Sequence, residues 1–246
     1  MLKVTKTVLL LLFALSLSLQ AKPKELSSSE IKQIEQLEIF KKAHIKVNKA
    51  YEMDSLYLLD VVVQGNKDEI FLTKDKKYII SGAVINTSNS LQVKIPLDLS
   101  ILKGKEALVY GEGKDEYVLF TDLECPYCKK FESYLPMLKD KIKVKVFFFP
   151  LDFHPNAADM SIYVLSKKSN QERIDAMFDL KIGSDLSKVK NAKYNKAEWD
   201  KLSKKLDEQL ELGAKLNVQG TPAIFDSEGN SIVWVNLLEK YGIDYK

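Results

Sequence analysis

Two cysteines, two histidines and a single arginine are all that this chain of 246 residues holds of those types. Each scarcity excludes something. A small secreted scaffold stapled by disulfides needs several cysteine pairs, and Cys125 with Cys128 makes one at most. A structural zinc centre takes four ligands, and beyond that pair the chain offers only His44 and His154. No metal and no other cofactor is therefore expected. Arg173 is the only arginine, and the lysines alternate with acids instead of forming a block, so nothing argues for nucleic acid. Long apolar runs are also missing. The longest, Val8 to Leu19, is about a dozen residues, short of the roughly 20 that span a bilayer.

That run follows Lys3 and Lys6 and ends at Gln20-Ala21, the pattern of a secretory signal peptide over 1–21. Its removal lowers the net charge from +3 to +1. The whole chain is 46% hydrophobic and 29% charged, an ordinary globular balance that rules out disordered and collagen-like classes.

Residues 22–86 read as a small N-terminal domain. The apolar residues Ile31, Ile34, Leu37, Ile39 and Phe40 fall largely at three- and four-residue steps behind the capping serines Ser27 to Ser29, which predicts an amphipathic helix from Ser27 to Ala43. Short β-branched or aromatic runs follow: Lys46 to Met53, Leu56 to Val63, Glu69 to Leu72 and Tyr78 to Ile80, with turns at Gly65-Asn66 and Lys74 to Lys76. A helix and a small antiparallel sheet bury little core, and such units gain stability by pairing with a second copy. Residues 87–113, punctuated by Gly104, Gly111 and Gly113, read as a linker.

From 114 to 246 the pattern changes to strand (Tyr117 to Phe120), helix (to Lys139) and strand (Val144 to Phe149), an order that suggests a parallel pair. The second strand is apolar enough to be covered on both faces. Helices are predicted over 156–168, 172–180 and 196–216, then strands at 223–225 and 231–235 and a closing helix at 236–241. The fold class is mixed α+β and α/β: an N-terminal helix-plus-antiparallel-sheet domain, a linker, and a C-terminal domain with a helical insertion.

The chemistry converges on Cys125-Pro126-Tyr127-Cys128, where strand hands over to helix. Amide hydrogens at a helix start stabilise a thiolate, the form that attacks disulfides. Cys125 is expected to face solvent as the nucleophile, and Cys128, one turn in, to be shielded as the resolving thiol. Pro126 loses no hydrogen bond in a first helical turn, and Pro126 and Tyr127 tune the thiolate. Glu124 opposes that thiolate unless it turns away. An inert structural disulfide is the bland alternative, and it leaves the strand-to-helix placement unexplained. His154 reads as a loop or helix-cap residue, not a general base, and His44 as surface.

A second constellation, Gly220-Thr221-Pro222-Ala223, lies between the long helix and a strand. About one X-Pro bond in twenty is cis in folded proteins, so spacing alone leaves Pro222 undecided. The run from Phe120 to Lys130, followed about 90 residues later by Gly220 to Ala223, resembles the thioredoxin-like domain of the periplasmic disulfide isomerases DsbC and DsbG. The resemblance implies a V-shaped homodimer joined through the N-terminal domains. It also implies a cis peptide before Pro222, and a substrate-binding loop of Gly220, Thr221 and Pro222 beside the cysteines. Pro126 agrees with the DsbG-like form of the motif. No additional structural cysteine pair of the DsbC kind is present, and Phe149 to Ala157 is similar to a stretch of DsbA-like oxidases, which leaves the direction of exchange open.

The expected function is a periplasmic thiol:disulfide isomerase or reductase for exported proteins with cysteines, kept reduced by a membrane partner of the DsbD type. Two readings stand beside it. One is a net oxidase recharged by a quinone-linked membrane partner; the other, of a different class, is a chaperone that holds unfolded chains in the dimer cleft.

Overall fold

The computed structural model describes residues 23–87 and 91–245. The signal peptide expected over 1–21 lies outside the described residues. The chain divides into two compact units, with the boundary between Gly82 and Ala83.

The first unit opens with a short strand, β1 (Lys24–Glu25), and two helices, α1 (Ser28–Glu35) and α2 (Glu38–Lys42). Ser27 caps α1 reciprocally with Glu30: the Ser27 hydroxyl accepts from the Glu30 amide, and the Glu30 carboxylate accepts from the Ser27 amide at 2.7 Å. The single helix expected from Ser27 to Ala43 is thus two, broken at Gln36-Leu37; Ile34 of the first and Phe40 of the second point inward, while Ile39 is exposed. Four further strands, β2 (Lys46–Glu52), β3 (Leu56–Val63), β4 (Asn66–Thr73) and β5 (Ile79–Ser81), complete an antiparallel sheet in the order β1-β2-β3-β4-β5. The β3–β4 hairpin turns through Gln64 and Gly65, both at positive φ. Ile34 and Phe40 from the helices pack with Val47, Ala50, Leu59, Val61, Ile70 and Leu72 from one sheet face.

The second unit begins with a two-stranded ribbon, β6 (Ile85–Asn86) and β7 (Leu91–Gln92), and a 3₁₀ turn at Leu99–Leu102. Then come β8 (Leu108–Tyr110), β9 (Asp115–Thr121), α3 (Pro126–Glu132), α4 (Leu135–Leu138) and β10 (Ile142–Phe148). A helical insertion follows: α5 (Ala157–Leu165), α6 (Asn170–Asp179), α7 (Ser187–Lys190) and the 20-residue α8 (Lys196–Lys215). The chain closes with β11 (Ala223–Asp226), β12 (Ser231–Ile232) and α9 (Trp234–Lys240). The expected strand 231–235 stops at Ile232, because Trp234 already starts the closing helix.

The sheet order is β12-β11-β9-β10-β8, with β9 and β10 parallel and the other pairs antiparallel. Alternation along β9 sends Tyr117 and Leu119 to one face, beside Val144, Val146 and Phe148 of β10 and Phe131, Leu135 and Leu138 of the helices. Val118 and Phe120 go to the other, with Phe147, Phe225, Leu212 of α8 and Leu216 at its C-cap. Coverage of β10 on both faces holds at its C-terminal end only. Nearer its start, Lys143 and Lys145 reach Glu116 at 3.4 and 2.8 Å.

The stretch 87–113, expected as a linker, is built into this unit over much of its length. Leu102 is buried in the second core, the Leu97 amide bonds the Gly229 carbonyl at 3.0 Å, and β8 forms the sheet edge against β10. Gly111 and Gly113 mark close approach, not slack, whereas Gly104 has open space around it. A Cβ on Gly113 would lie 1.9 Å from the Lys141 carbonyl carbon.

Candidate active site

The strand β9 ends at Thr121 and α3 begins at Pro126, so the intervening turn places Cys125 at the helix N-cap, in an extended conformation (φ −72°, ψ 124°). Pro126 occupies the first turn, where its missing N–H costs nothing. The helix expected to run to Lys139 instead breaks at Ser133-Tyr134, ahead of Pro136, and resumes as α4. Both cysteines are free thiols.

Cys128 is fully enclosed, and burial pushes its thiol up to about 12. The Asp122 amide, 3.4 Å from the Cys128 sulfur, works in the opposite direction and loses to burial. Cys125 differs from expectation: it is only 4% exposed. Its thiol donates to the Thr221 carbonyl at 3.6 Å, so the loop carrying Thr221 covers it, while Pro126 and Tyr127 alongside are exposed, Tyr127 to 70%.

That covering loop follows α8, whose end is marked by Asn217 at positive φ, and leads into β11. The Thr221–Pro222 peptide is cis. Gly220, Thr221 and Pro222 are each half-buried, and the Thr221 hydroxyl oxygen is buried without a hydrogen-bond partner. Residues 96 positions apart in the chain, Cys125 and Thr221, are therefore in contact.

Three acidic side chains surround the dithiol. Glu124 turns away from Cys125: its two oxygens accept the Asn156 amide and side-chain nitrogens, each at 2.7 Å. Two others were missed by sequence reasoning. Asp122, fully buried, accepts from the amides of Glu124 (2.8 Å) and Cys125 (3.1 Å) on one oxygen. Its other oxygen takes the Leu151 amide at 2.7 Å and meets His154 Nδ1 at 2.8 Å. An aspartate three residues before a helix cap is a recognisable turn-former, and that was the available signal. Glu132 is buried on α3, accepting from Thr121 Oγ1 at 3.3 Å and pairing with Lys129 Nζ at 2.7 Å. Burial holds its carboxyl above the usual range, against the attraction of Lys129. Nothing in the spacing separated Glu132 from a surface glutamate.

His154 thus lies in a loop, as expected, but it is tied to Asp122 directly behind Cys125, and its ring packs against Phe153 at 4.5 Å. His44 lies at positive φ just after α2, away from these residues in the chain and in the other unit. Among the described residues, no three His, Cys, Asp or Glu side chains cluster as a metal site requires, and no helix is long and apolar enough to cross a membrane.

The thioredoxin-like domain family matches residues 103–236. Among curated proteins, the probable thiol:disulfide interchange protein DsbC of Bordetella avium is 25% identical over 186 residues, which take in 66% of this chain and 57% of that protein. The thiol:disulfide interchange protein DsbC of Escherichia coli is 24% identical over 179 residues, 69% of this chain and 70% of that one. Among solved structures, a periplasmic thioredoxin-like protein from Salmonella enterica serovar Typhimurium is 19% identical with a TM-score of 0.48, covering 59% of this chain and 95% of that one.

Proposed function

Because the chain belongs to the thioredoxin-like domain family, we propose that it is a thiol:disulfide oxidoreductase, working through Cys125 and Cys128 as an isomerase or reductase of exported proteins. One observation carries this reading. Cys125 stands at a helix cap with its sulfur against the Thr221 carbonyl, and Cys128 is sealed behind it.

The steps follow from thiol chemistry. The Cys125 thiolate attacks a substrate disulfide, one sulfur of the substrate leaves as thiolate and takes a proton, and a mixed disulfide forms. In isomerisation a second substrate thiolate then attacks, its new disulfide forms within the substrate, and Cys125 is released reduced. In reduction Cys128 loses its proton and attacks the Cys125 sulfur, the bond from Cys125 to the substrate breaks, and the substrate sulfur leaves as thiolate and takes a proton, so that the dithiol has given up two electrons and become a disulfide. A resolving thiol pushed up to about 12 attacks slowly, which leaves time for the substrate to rearrange. Gly220, Thr221 and Pro222 hold the extended substrate chain, and Pro126 and Tyr127 tune the thiolate.

The partners follow from this role. Substrates are exported proteins with cysteines, the compartment is the periplasm, and a membrane reductase of the DsbD type keeps the dithiol reduced. The first unit, reading as a dimerisation domain, joins two copies. Trapping the redox state of the two cysteines in cells by alkylation tests the direction. A mostly reduced pair is expected; a mostly oxidised pair transfers the reading to an oxidase recharged by a quinone-linked partner. Sedimentation of the mature chain is expected to give a dimer, and a clean monomer contradicts the shared-cleft arrangement.

A further inference from the structure

A carboxylate with no exposure, Asp122, accepts the Cys125 amide at 3.1 Å, which puts its charge beside a residue whose thiol is three bonds from that nitrogen. An uncompensated anion at that distance disfavours a second anion on sulfur. The charged groups that face this region are few. Glu124 is turned to Asn156, and Glu132 on α3 is paired with Lys129. Among the described residues, the one cation-forming side chain in contact with Asp122 is His154, from the loop after β10, at 2.8 Å. Its side chain keeps 16% exposure, enough to exchange protons with solvent, and Phe153 covers one side of the ring.

We propose that His154 is the counter-ion of Asp122, and that its imidazolium cancels the buried carboxylate's opposition to the Cys125 thiolate. The inference rests on Cys125 being the attacking thiol. His154 is a positioning residue in this scheme: it acts on the sulfur through Asp122, which also fixes the turn by holding the amides of Glu124, Cys125 and Leu151. The sign follows directly. With a cation at position 154 the pair is neutral; with a neutral residue there the charge of Asp122 stands uncancelled beside the Cys125 amide and holds thiolate formation back.

The test uses the full mature chain with Cys128→Ser, leaving one thiol, and follows iodoacetamide alkylation between about pH 5 and 8. His154→Gln, which can still donate a hydrogen bond to Asp122, is expected to slow alkylation about tenfold within that range, the effect of one lost charge contact. Asp122→Asn is expected to accelerate it, and the double variant to return towards the parent. His154→Arg keeps a cation beside Asp122 and is expected to give parental rates. A merely structural role slows both single variants alike, with no compensation in the double, and that result overturns the proposal, as does an unchanged rate in His154→Gln. A wild-type chain that exchanges disulfides while the variants show no compensation sinks this inference alone. Compensation in a chain that exchanges no disulfides supports it and sinks the functional reading instead.

Discussion

The Cys125 sulfur lies 3.6 Å from the carbonyl oxygen of Thr221, and 96 residues of chain separate the two. That contact joins the start of α3 to the loop after α8, two places brought together by the pairing of β9 with β11.

Thr221 carries a hydroxyl that is buried without a partner. Leaving such a group unpaired costs about 1–3 kcal/mol. Thr221→Val keeps the covering carbonyl and removes the hydroxyl, so its urea unfolding is expected to show stability raised by about 1 kcal/mol. An equal loss of stability contradicts the absence of a partner.

Glu132 gives a pH signature. Its carboxyl is raised in the folded protein by burial, so folding favours the protonated form. The stability this contributes is full below the ordinary value of 4.5 and is lost as the pH rises through the folded value. Glu132→Gln removes that loss. Denaturant midpoints measured against pH are expected to show the variant gaining on wild type as the pH rises above 4.5, and a constant difference contradicts the assignment.

Gly113 tests the join between β8 and β9. A Cβ there meets the Lys141 backbone at 1.9 Å, and backbone cannot step aside as a flexible side chain can. Gly113→Ala is expected to cost about 3 kcal/mol or more, at the upper end of overpacking. Thermal unfolding checks it; a change within about 0.5 kcal/mol, as for an ordinary surface site, contradicts the close approach.

Strands β2 to β5 and β9 to β11 and the handover from β9 to α3 were legible because they rest on local signals: alternation, turn residues and a Cys-X-X-Cys pair beside an apolar run; β8, inside the expected linker, was not. The serines at 27–29 announced the start of α1 as candidate caps. What failed was non-local. Gly111 and Gly113 look like punctuation in one dimension, and only the packing of β8 against β10 makes them contact points. Cys125 was expected in solvent because a helix cap is usually exposed; the loop that covers it comes from 96 residues away. Asp122 and His154, 32 positions apart, are bonded because β9 and β10 run parallel and the loops that follow them emerge at the same end of the sheet, and Glu132 differs from a surface glutamate only by its burial.

The central claim is that Cys125 attacks and Cys128 resolves. Removing the resolving thiol with Cys128→Ala leaves the mixed disulfide with no internal exit, so a reduced variant given a peptide disulfide should accumulate a covalent adduct that a reductant releases. Peptide mapping by mass spectrometry is expected to place the adduct on Cys125 in that variant and to find none in Cys125→Ala. An adduct on Cys128 in the second variant, or none in the first, contradicts the account.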